Sequence, residues 1–318
     1  MEIIAKLGSL LGLSFISGIN LYATVAVVGI CAKFHLVGGL PPEFDVLAND
    51  FVIFIAIVLY VLEFFIDKIP GLDTLWDTLH SLIRPLGGAM MALIQVGDAS
   101  PATQVVAFMV GASLASMAHA TKAGSRLIIN TSPEPVSNIL ASLTEDAGAI
   151  GFSYLSLAHP QLAFFLTLAF VGIIAMLMPL IFRTVRMLFS AILFRLKCFI
   201  QRDAPWEAVR SLPYRYDECF ESVREGDEDL LWTGKTFAVK VPKVPRFTPM
   251  QAAITTKGVR LFYNRRFRTQ DRFIPLDELK RQKTFSGALL ARWSLKTAGG
   301  DLMLCLYQPL AGTLPRES

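Results

Sequence analysis

Residues 62–88 read LEFFIDKIPGLDTLWDTLHSLIRPLGG, a run in which charges sit between segments more apolar than a water-soluble surface carries. From Pro70 a resumed helix places Asp73, Asp77, His80 and Arg84 at i, i+4, i+7 and i+11, on one face. Leu72, Leu75, Trp76, Leu79 and Leu82 fall on the other face. A carboxylate or guanidinium at membrane depth is costly unless paired or wetted, so this row is expected to face protein or a water-filled cavity. The alternative is an amphipathic helix lying flat among lipid headgroups with its charges solvated. Glu63, Asp67 and Lys68 lengthen the polar row just upstream.

Composition away from this stretch points the same way. Mean hydropathy is +0.50, yet the chain carries 30 Lys+Arg and 26 Asp+Glu, so apolar and charged residues must be segregated. Residues 1–182 hold 6 basic and 12 acidic residues, whereas 183–318 hold 24 and 14. An α-helical polytopic membrane domain over 1–182 is therefore expected. A basic amphipathic helix and linker follows over 183–230, and a small antiparallel β domain over 231–318. Cys31, Cys198, Cys219 and Cys305 show no CxxC spacing, so neither a zinc site nor a disulfide framework is indicated, and a reducing compartment fits.

Gly8 to Ala32 is a charge-free run of about 25 residues, long enough to span a hydrocarbon core of roughly 30 Å. It is too long for a secretory signal core, and Ile30 before Cys31 does not fit a lipoprotein cleavage site, so an uncleaved first span is expected. Gly12, Ser14, Ser17, Gly18 and Asn20 form a small, polar stripe suited to close helix packing; Asn20, an amide in lipid, needs partners. Phe34 to Asp50 reads as a loop from its Gly-Gly and Pro-Pro pairs, and Phe51 to Ile66 as a second span. Leu86 to Val96 is too short to cross alone: it either continues the preceding helix through Pro85 or forms half of a re-entrant pair. Ala102 onward begins another span that ends in His119, Lys122 and Arg126.

A shift of 99 residues lays Gly12, Ser14, Ser17 and Asn20 on Gly111, Ser113, Ser116 and His119, a possible internal repeat. The run Asn130-Thr-Ser-Pro-Glu134-Pro then interrupts the apolar pattern, and Glu145-Asp146 forms a second acidic pair. Paired interrupted helices in two halves point to a site near the midplane. Leu162 to Phe182 is a further span, 21 residues without a charge. Arg183, Arg186, Arg195, Lys197 and Arg202 follow it, placing that flank in the cytoplasm by the positive-inside tendency; with Lys6 before the first span, both termini are expected inside a bacterial inner membrane. Four to six spans are expected in all. Val185, Leu188, Phe189, Ile192, Leu193 and Leu196 give the segment after Phe182 an amphipathic pattern suited to an anionic leaflet.

Asp203 to Asp229 reads as a polar linker with a short helix from Pro205. From Leu231 the period becomes two: FAVKV, AAIT, GVRLFYN, RFIPL, ALLARWSLK and DLMLCLY, with turns at Lys257-Gly258 and Gly299-Gly300. Six or so strands imply a small antiparallel barrel or sandwich. Arg260, Arg265, Arg266, Arg268 and Arg272 crowd one hairpin, as either a solvated edge that discourages sheet pairing or, with Arg183 and Arg186, a surface for lipid phosphates.

SGIN at 17–20, LEFFIDKIPGLDTLWDTLH at 62–80, RPLGGA at 84–89, the KAGSRLIIN, SPEP and SN segments across 122–138 and ED at 145–146 together resemble a bacterial membrane family, domain of unknown function 4126, over residues 8–182. The resemblance implies a multi-span membrane architecture and no particular substrate. The strand pattern beyond the linker is similar to bacterial pleckstrin-homology-like modules, although those close with a C-terminal helix and AGTLPRES is not one.

The sequence holds no GxSxG elbow, HExxH helix, Walker loop or Rossmann glycine pattern after a strand. The basic tail adjoins a membrane segment and its aromatics are spaced like strand cores, so the partner expected is the lipid bilayer and its anionic headgroups rather than nucleic acid. Three readings of the membrane part stay open. In a small transporter or channel, Asn20, Glu63, Asp67, Lys68, Asp73, Asp77, His80, Arg84, His119, Lys122, Arg126, Asn130, Glu134, Glu145 and Asp146 line a polar path. In an accessory protein the same groups only hold helices together. In a membrane-embedded lipid-modifying enzyme, Asp77 and His80 hold a divalent cation with Glu145 or Asp146 completing the shell, while Arg84 and Arg126 hold a lipid phosphate; Asp73, about 10 Å along the helix, is too far to join. No organic cofactor is indicated.

Overall fold

The computed structural model describes residues 2–69, 72–129, 135–200, 211–224, 226–265, 268–287 and 289–315. The chain divides into two units, Met1–Ile181 and Phe182–Ser318.

The first unit is helical. Helix α1 (Glu2–Ser17) is followed by α2 (Leu21–Lys33), so the single span read over Gly8–Ala32 is broken in the structure. The break has a local cause: Asn20 leaves helical geometry and its side chain accepts from the Ala23 amide at 2.9 Å, capping α2. Helix α3 (Asp50–Ile66) is capped in the same way, Asn49 accepting from the Phe51 amide. Helix α4 (Leu72–Val96) runs unbroken past Pro85, which decides between the two readings of Leu86–Val96 in favour of continuation. Helices α5 (Pro101–Ile129) and α6 (Pro135–Ala158) follow, and α7 (Pro160–Ile200) is 41 residues long and crosses into the second unit.

Small residues set the spacing of α1, α4 and α5. Ser14 Oγ donates to the Gly88 carbonyl at 3.1 Å. A Cβ on Gly88 would collide with Ala115, and one on Gly18 with the Ala115 carbonyl, so only glycine admits this approach. The proposed 99-residue repeat meets a difference here. Asn20 caps a helix after a break, while His119 lies mid-way along continuous α5; Ser14 and Ser17 are buried, while Ser113 and Ser116 are exposed.

Exposure across the unit runs opposite to that of a water-soluble bundle. On α4 the face carrying Asp73, Asp77, His80 and Arg84 is buried, while Leu75, Leu79 and Leu82 are 58%, 60% and 70% exposed. The flat helix with solvated charges is therefore overturned, because its polar face meets other helices. Two helical segments, Pro101–Arg126 and Pro160–Ile200, are long and apolar enough to cross a membrane, fewer than the four to six spans expected; Ile3–Ser17 and Leu21–Lys33 are apolar but shorter.

In the second unit, helix α8 (Tyr214–Val223) lies in the stretch read as linker; the helix expected from Pro205 falls largely outside the described residues. Seven strands follow: β1 (Leu230–Lys240), β2 (Pro249–Thr255), β3 (Gly258–Arg265), β4 (Arg268–Pro275), β5 (Leu279–Phe285), β6 (Leu290–Thr297) and β7 (Gly300–Tyr307). They form one antiparallel sheet in the order β4-β3-β2-β1-β7-β6-β5. It is an open sheet with β4 and β5 at its edges, rather than the closed barrel or sandwich expected. Strand β5, LKRQKTF, escaped the period-two reading because an edge strand with polar residues on both faces carries no alternation. Trp232 and Trp293, both fully buried, meet edge-on at 5.9 Å in the core, and Trp232 Nε1 donates to Thr313 in the closing segment after the four-residue helix α9 (Gln308–Ala311).

Candidate functional site

Charges from α3, α4, α5 and α6 meet inside the first unit. Glu63, near the end of α3, accepts from Arg84 of α4 at 2.7 Å and from Lys122 of α5 at 3.0 Å, both through Oε1. Lys122 also donates to Asp67 at 2.7 Å and stands 3.9 Å from Glu145. One turn along α5, Arg126 donates to the Asp67 carbonyl at 3.1 Å and to Glu145 of α6 at 2.5 Å. The i, i+4 spacing of Lys122 and Arg126 is what lets one helix face serve acids from two others.

Arg84 lies 3.2 Å from Asp77, and its Nη1 is 2.9 Å from His119 Nδ1. His119 Nε2 lies 3.0 Å from the Asp77 carbonyl, so the ring is assigned the Nε2–H tautomer, donating to that carbonyl and accepting from Arg84. His80 takes the opposite tautomer: Nδ1–H donates to the Trp76 carbonyl at 2.8 Å, and Nε2 accepts from the Tyr22 hydroxyl at 2.8 Å. At the other end, Asn20 donates to Asp146 at 3.1 Å, and Lys68 lies 4.0 Å from Asp146 and over the Phe64 ring at 3.0 Å. Asp73 is buried at the head of α4, its carboxylate accepting from the Thr74 amide at 2.5 Å.

Among the described residues, the unit thus gathers six carboxylates, Glu63, Asp67, Asp73, Asp77, Glu145 and Asp146, against four cations, Lys68, Arg84, Lys122 and Arg126. Glu63 Oε2 and Asp77 Oδ2 are buried and accept no hydrogen bond from any described group. Tyr22 was not singled out from the sequence, where one aromatic inside an apolar run carries no signal. Asn130 and Glu134 lie outside the described residues. Among the described residues no three His, Cys, Asp or Glu side chains are placed to hold a metal ion. Both ring nitrogens of His80 are engaged, so a divalent cation at Asp77 and His80 would have to displace Tyr22 or the Trp76 carbonyl.

The arginine hairpin of the second unit separates into different roles. Arg260 is buried and cannot form part of a lipid-facing surface: Glu228 accepts from its Nε and Nη2, each at 2.7 Å, Asp271 accepts at 2.5 Å, and the guanidinium stacks over Phe273. The Glu228 hydrogen bonds raise Arg260 above its ordinary value and keep it charged. Arg186, Arg265 and Arg268 are exposed, Arg183 is half-buried, and Arg266 lies outside the described residues. Helix α8 explains the buried arginine. Its Phe220, with Leu212 just ahead of the helix, packs on Phe262 and Ala253, and so covers the sheet face that Arg260 shares with Phe262.

Fold and site together define a helical bundle with a buried charged interior, joined to an open antiparallel sheet. Residues 7–180 match the family described as domain of unknown function (DUF4126), more than half of the chain, and the protein belongs to that family. A comparison with curated proteins gave no match. Among solved structures, the chain is similar to the crystal structure of an N-terminally truncated linker-DH/PH fragment of p115-RhoGEF at 10% identity and a TM-score of 0.21, covering 96% of this chain and 94% of that one. At that score the likeness carries no argument about fold or function.

Proposed function

We propose that the first unit is embedded in the bacterial inner membrane, with both termini in the cytoplasm, and conducts a proton or small cation along its buried charged row as a small transporter or channel. The observation that carries this reading is the excess of buried carboxylates over cations, with Glu63 Oε2 and Asp77 Oδ2 lacking a hydrogen-bond partner among the described residues. A buried carboxylate oxygen in that state is where a mobile proton or ion is held most favourably. Leucines turned outward on α4 support lipid as the surrounding solvent. The tail, read from its strand pattern as a pleckstrin-homology-like module, lies against anionic headgroups in this proposal.

The near-complete pairing of Glu63, Arg84, Lys122, Asp67, Arg126 and Glu145 favours a second reading, in which the network only locks the helices together in an accessory protein. One experiment separates the two. In vesicles reconstituted with the full chain and loaded with a pH-sensitive dye, the transport reading expects a flux that Asp77→Asn abolishes while thermal stability in detergent is kept. No flux in the parent protein, together with a lower melting temperature for Asp77→Asn, would leave only the architectural reading.

A further inference from the structure

The second unit contains a cavity of about 480 Å³, within the range of small-molecule sites. Five cations from four places in the chain line it: Arg183 and Arg186 of α7, Lys235 of β1, Lys243 of the β1–β2 turn and Arg265 at the end of β3. Among the described residues no Asp or Glu lines it, although residues 183–318 carry 14 acidic groups. Among the described residues none of the five forms an ion pair, whereas Arg224, Lys257 and Arg260 in the same unit do.

The turn that supplies Lys243 is tightly built. Lys243 and Phe247 hold positive φ angles of 65° and 58°, the Val241–Val244 bridge closes the loop, and the Phe247 amide donates to the Ala238 carbonyl at 2.5 Å. Lys243 therefore extends from a fixed loop, with Phe247 beside it in the same wall. Five like charges around one cavity repel one another, and an oxyanion relieves that repulsion in proportion to its charge. Guanidinium forks and ammonium groups together match a tetrahedral, multiply charged oxyanion better than a singly charged carboxylate.

We propose that this cavity binds a phosphate-bearing anion, presented either by the headgroup of an anionic phospholipid or by a soluble phosphate compound. Lys235 and Lys243, which no sequence motif marks, are two of its ligands. The site is independent of the transport reading. Only the lipid source of the phosphate draws on the membrane placement, so failure of either reading leaves the other testable.

The test titrates the full chain, in neutral detergent, with pyrophosphate and separately with dioctanoyl phosphatidic acid, measuring heat of binding. Saturable binding of at least one is expected. Lys235→Gln and Lys243→Gln should each weaken it about tenfold, while Lys283→Gln, exposed on β5 outside the cavity, should change it by less than about twofold. Because Gln takes up no more space than Lys at these exposed positions, melting temperatures should match the parent, and a variant whose melt has shifted is replaced by Arg265→Gln. Binding of the lipid alone assigns a headgroup, and binding or competition by pyrophosphate assigns a soluble phosphate. No saturable binding of either probe, or equal loss in Lys283→Gln, would overturn the site in favour of diffuse attraction.

Discussion

Arg84 and Arg260 are both buried guanidiniums held between two carboxylates, yet the surfaces around them differ. Around Arg84 the helices turn leucine outward: Leu75, Leu79 and Leu82 are more exposed than any charge on their own helix. Around Arg260 the sheet turns polar groups outward, with Lys235, Arg265 and Lys283 exposed and Trp232, Leu261 and Trp293 inside. Ion pairing alone therefore does not identify a membrane interior. The two interiors differ in the sign of the exposure gradient: apolar residues point outward around Arg84 and inward around Arg260, and outward apolar surface is disfavoured in water.

The comparison is sharpened most by removing the two arginines. Arg84→Ala removes the ion-pair partner of Asp77 and leaves Glu63 with Lys122 alone, at side chains 3% and 0% exposed, and should cost about 3–5 kcal/mol in a detergent melt. Arg260→Ala leaves Glu228, 0% exposed, with the Thr255 hydroxyl still donating to it, and Asp271, 14% exposed, able to recruit water, and should cost about 1–3 kcal/mol. An Arg260 effect as large as that of Arg84 would remove the distinction between the two interiors. A smaller effect is expected at the helix break. Asn20→Ala loses the α2 cap and the bond to Asp146, about 0.5–2 kcal/mol by thermal melting. A neutral outcome there would mean that Gly18 and the backbone hold the break unaided.

The smallest effect belongs to the outer surface of the sheet unit. A hydrogen bond from Lys257 holds the exposed Asp227 carboxyl below its ordinary 3.8. The depressed folded value means that the pair's contribution is present above 3.8 and is lost as pH falls through the lowered folded value. Asp227→Asn should flatten that acid limb in a tryptophan-fluorescence melt and leave neutral-pH stability almost unchanged. A marked loss at neutral pH would show the pair to be shielded from solvent, against its exposure here.

The spacing of Asp73, Asp77, His80 and Arg84 was enough to place those side chains on one helix face, because a period of 3.6 residues leaves no other arrangement. Strands with clear alternation, such as GVRLFYN and DLMLCLY, were equally legible. The break at Gly18–Asn20 was not, because hydropathy continues through it and only the capping geometry of Asn20 reveals it. Arg260 looked like a surface residue because α8, which packs over that sheet face, is polar on average and lies in a stretch that reads as linker. The basic cavity was hidden for another reason: Arg183, the Lys235–Lys243 segment and Arg265 belong to separate elements and become neighbours only once helix and sheet have folded.

The central claim, that the outward leucines of α4 meet lipid while the outward apolar residues of the sheet meet water, can be measured directly. Spin labels are placed at Leu75→Cys, Leu79→Cys and Leu82→Cys, and at Leu276→Cys, in the turn between β4 and β5 and 52% exposed, as the control in the sheet unit. The carrier is the full chain in bilayers, with its four native cysteines replaced by serine. Collision rates with dissolved oxygen and with a water-soluble nickel chelate then report the solvent at each site. The account predicts high oxygen and negligible nickel accessibility at all three α4 positions, and the reverse at Leu276. Nickel accessibility on α4 equal to that at Leu276 would contradict it.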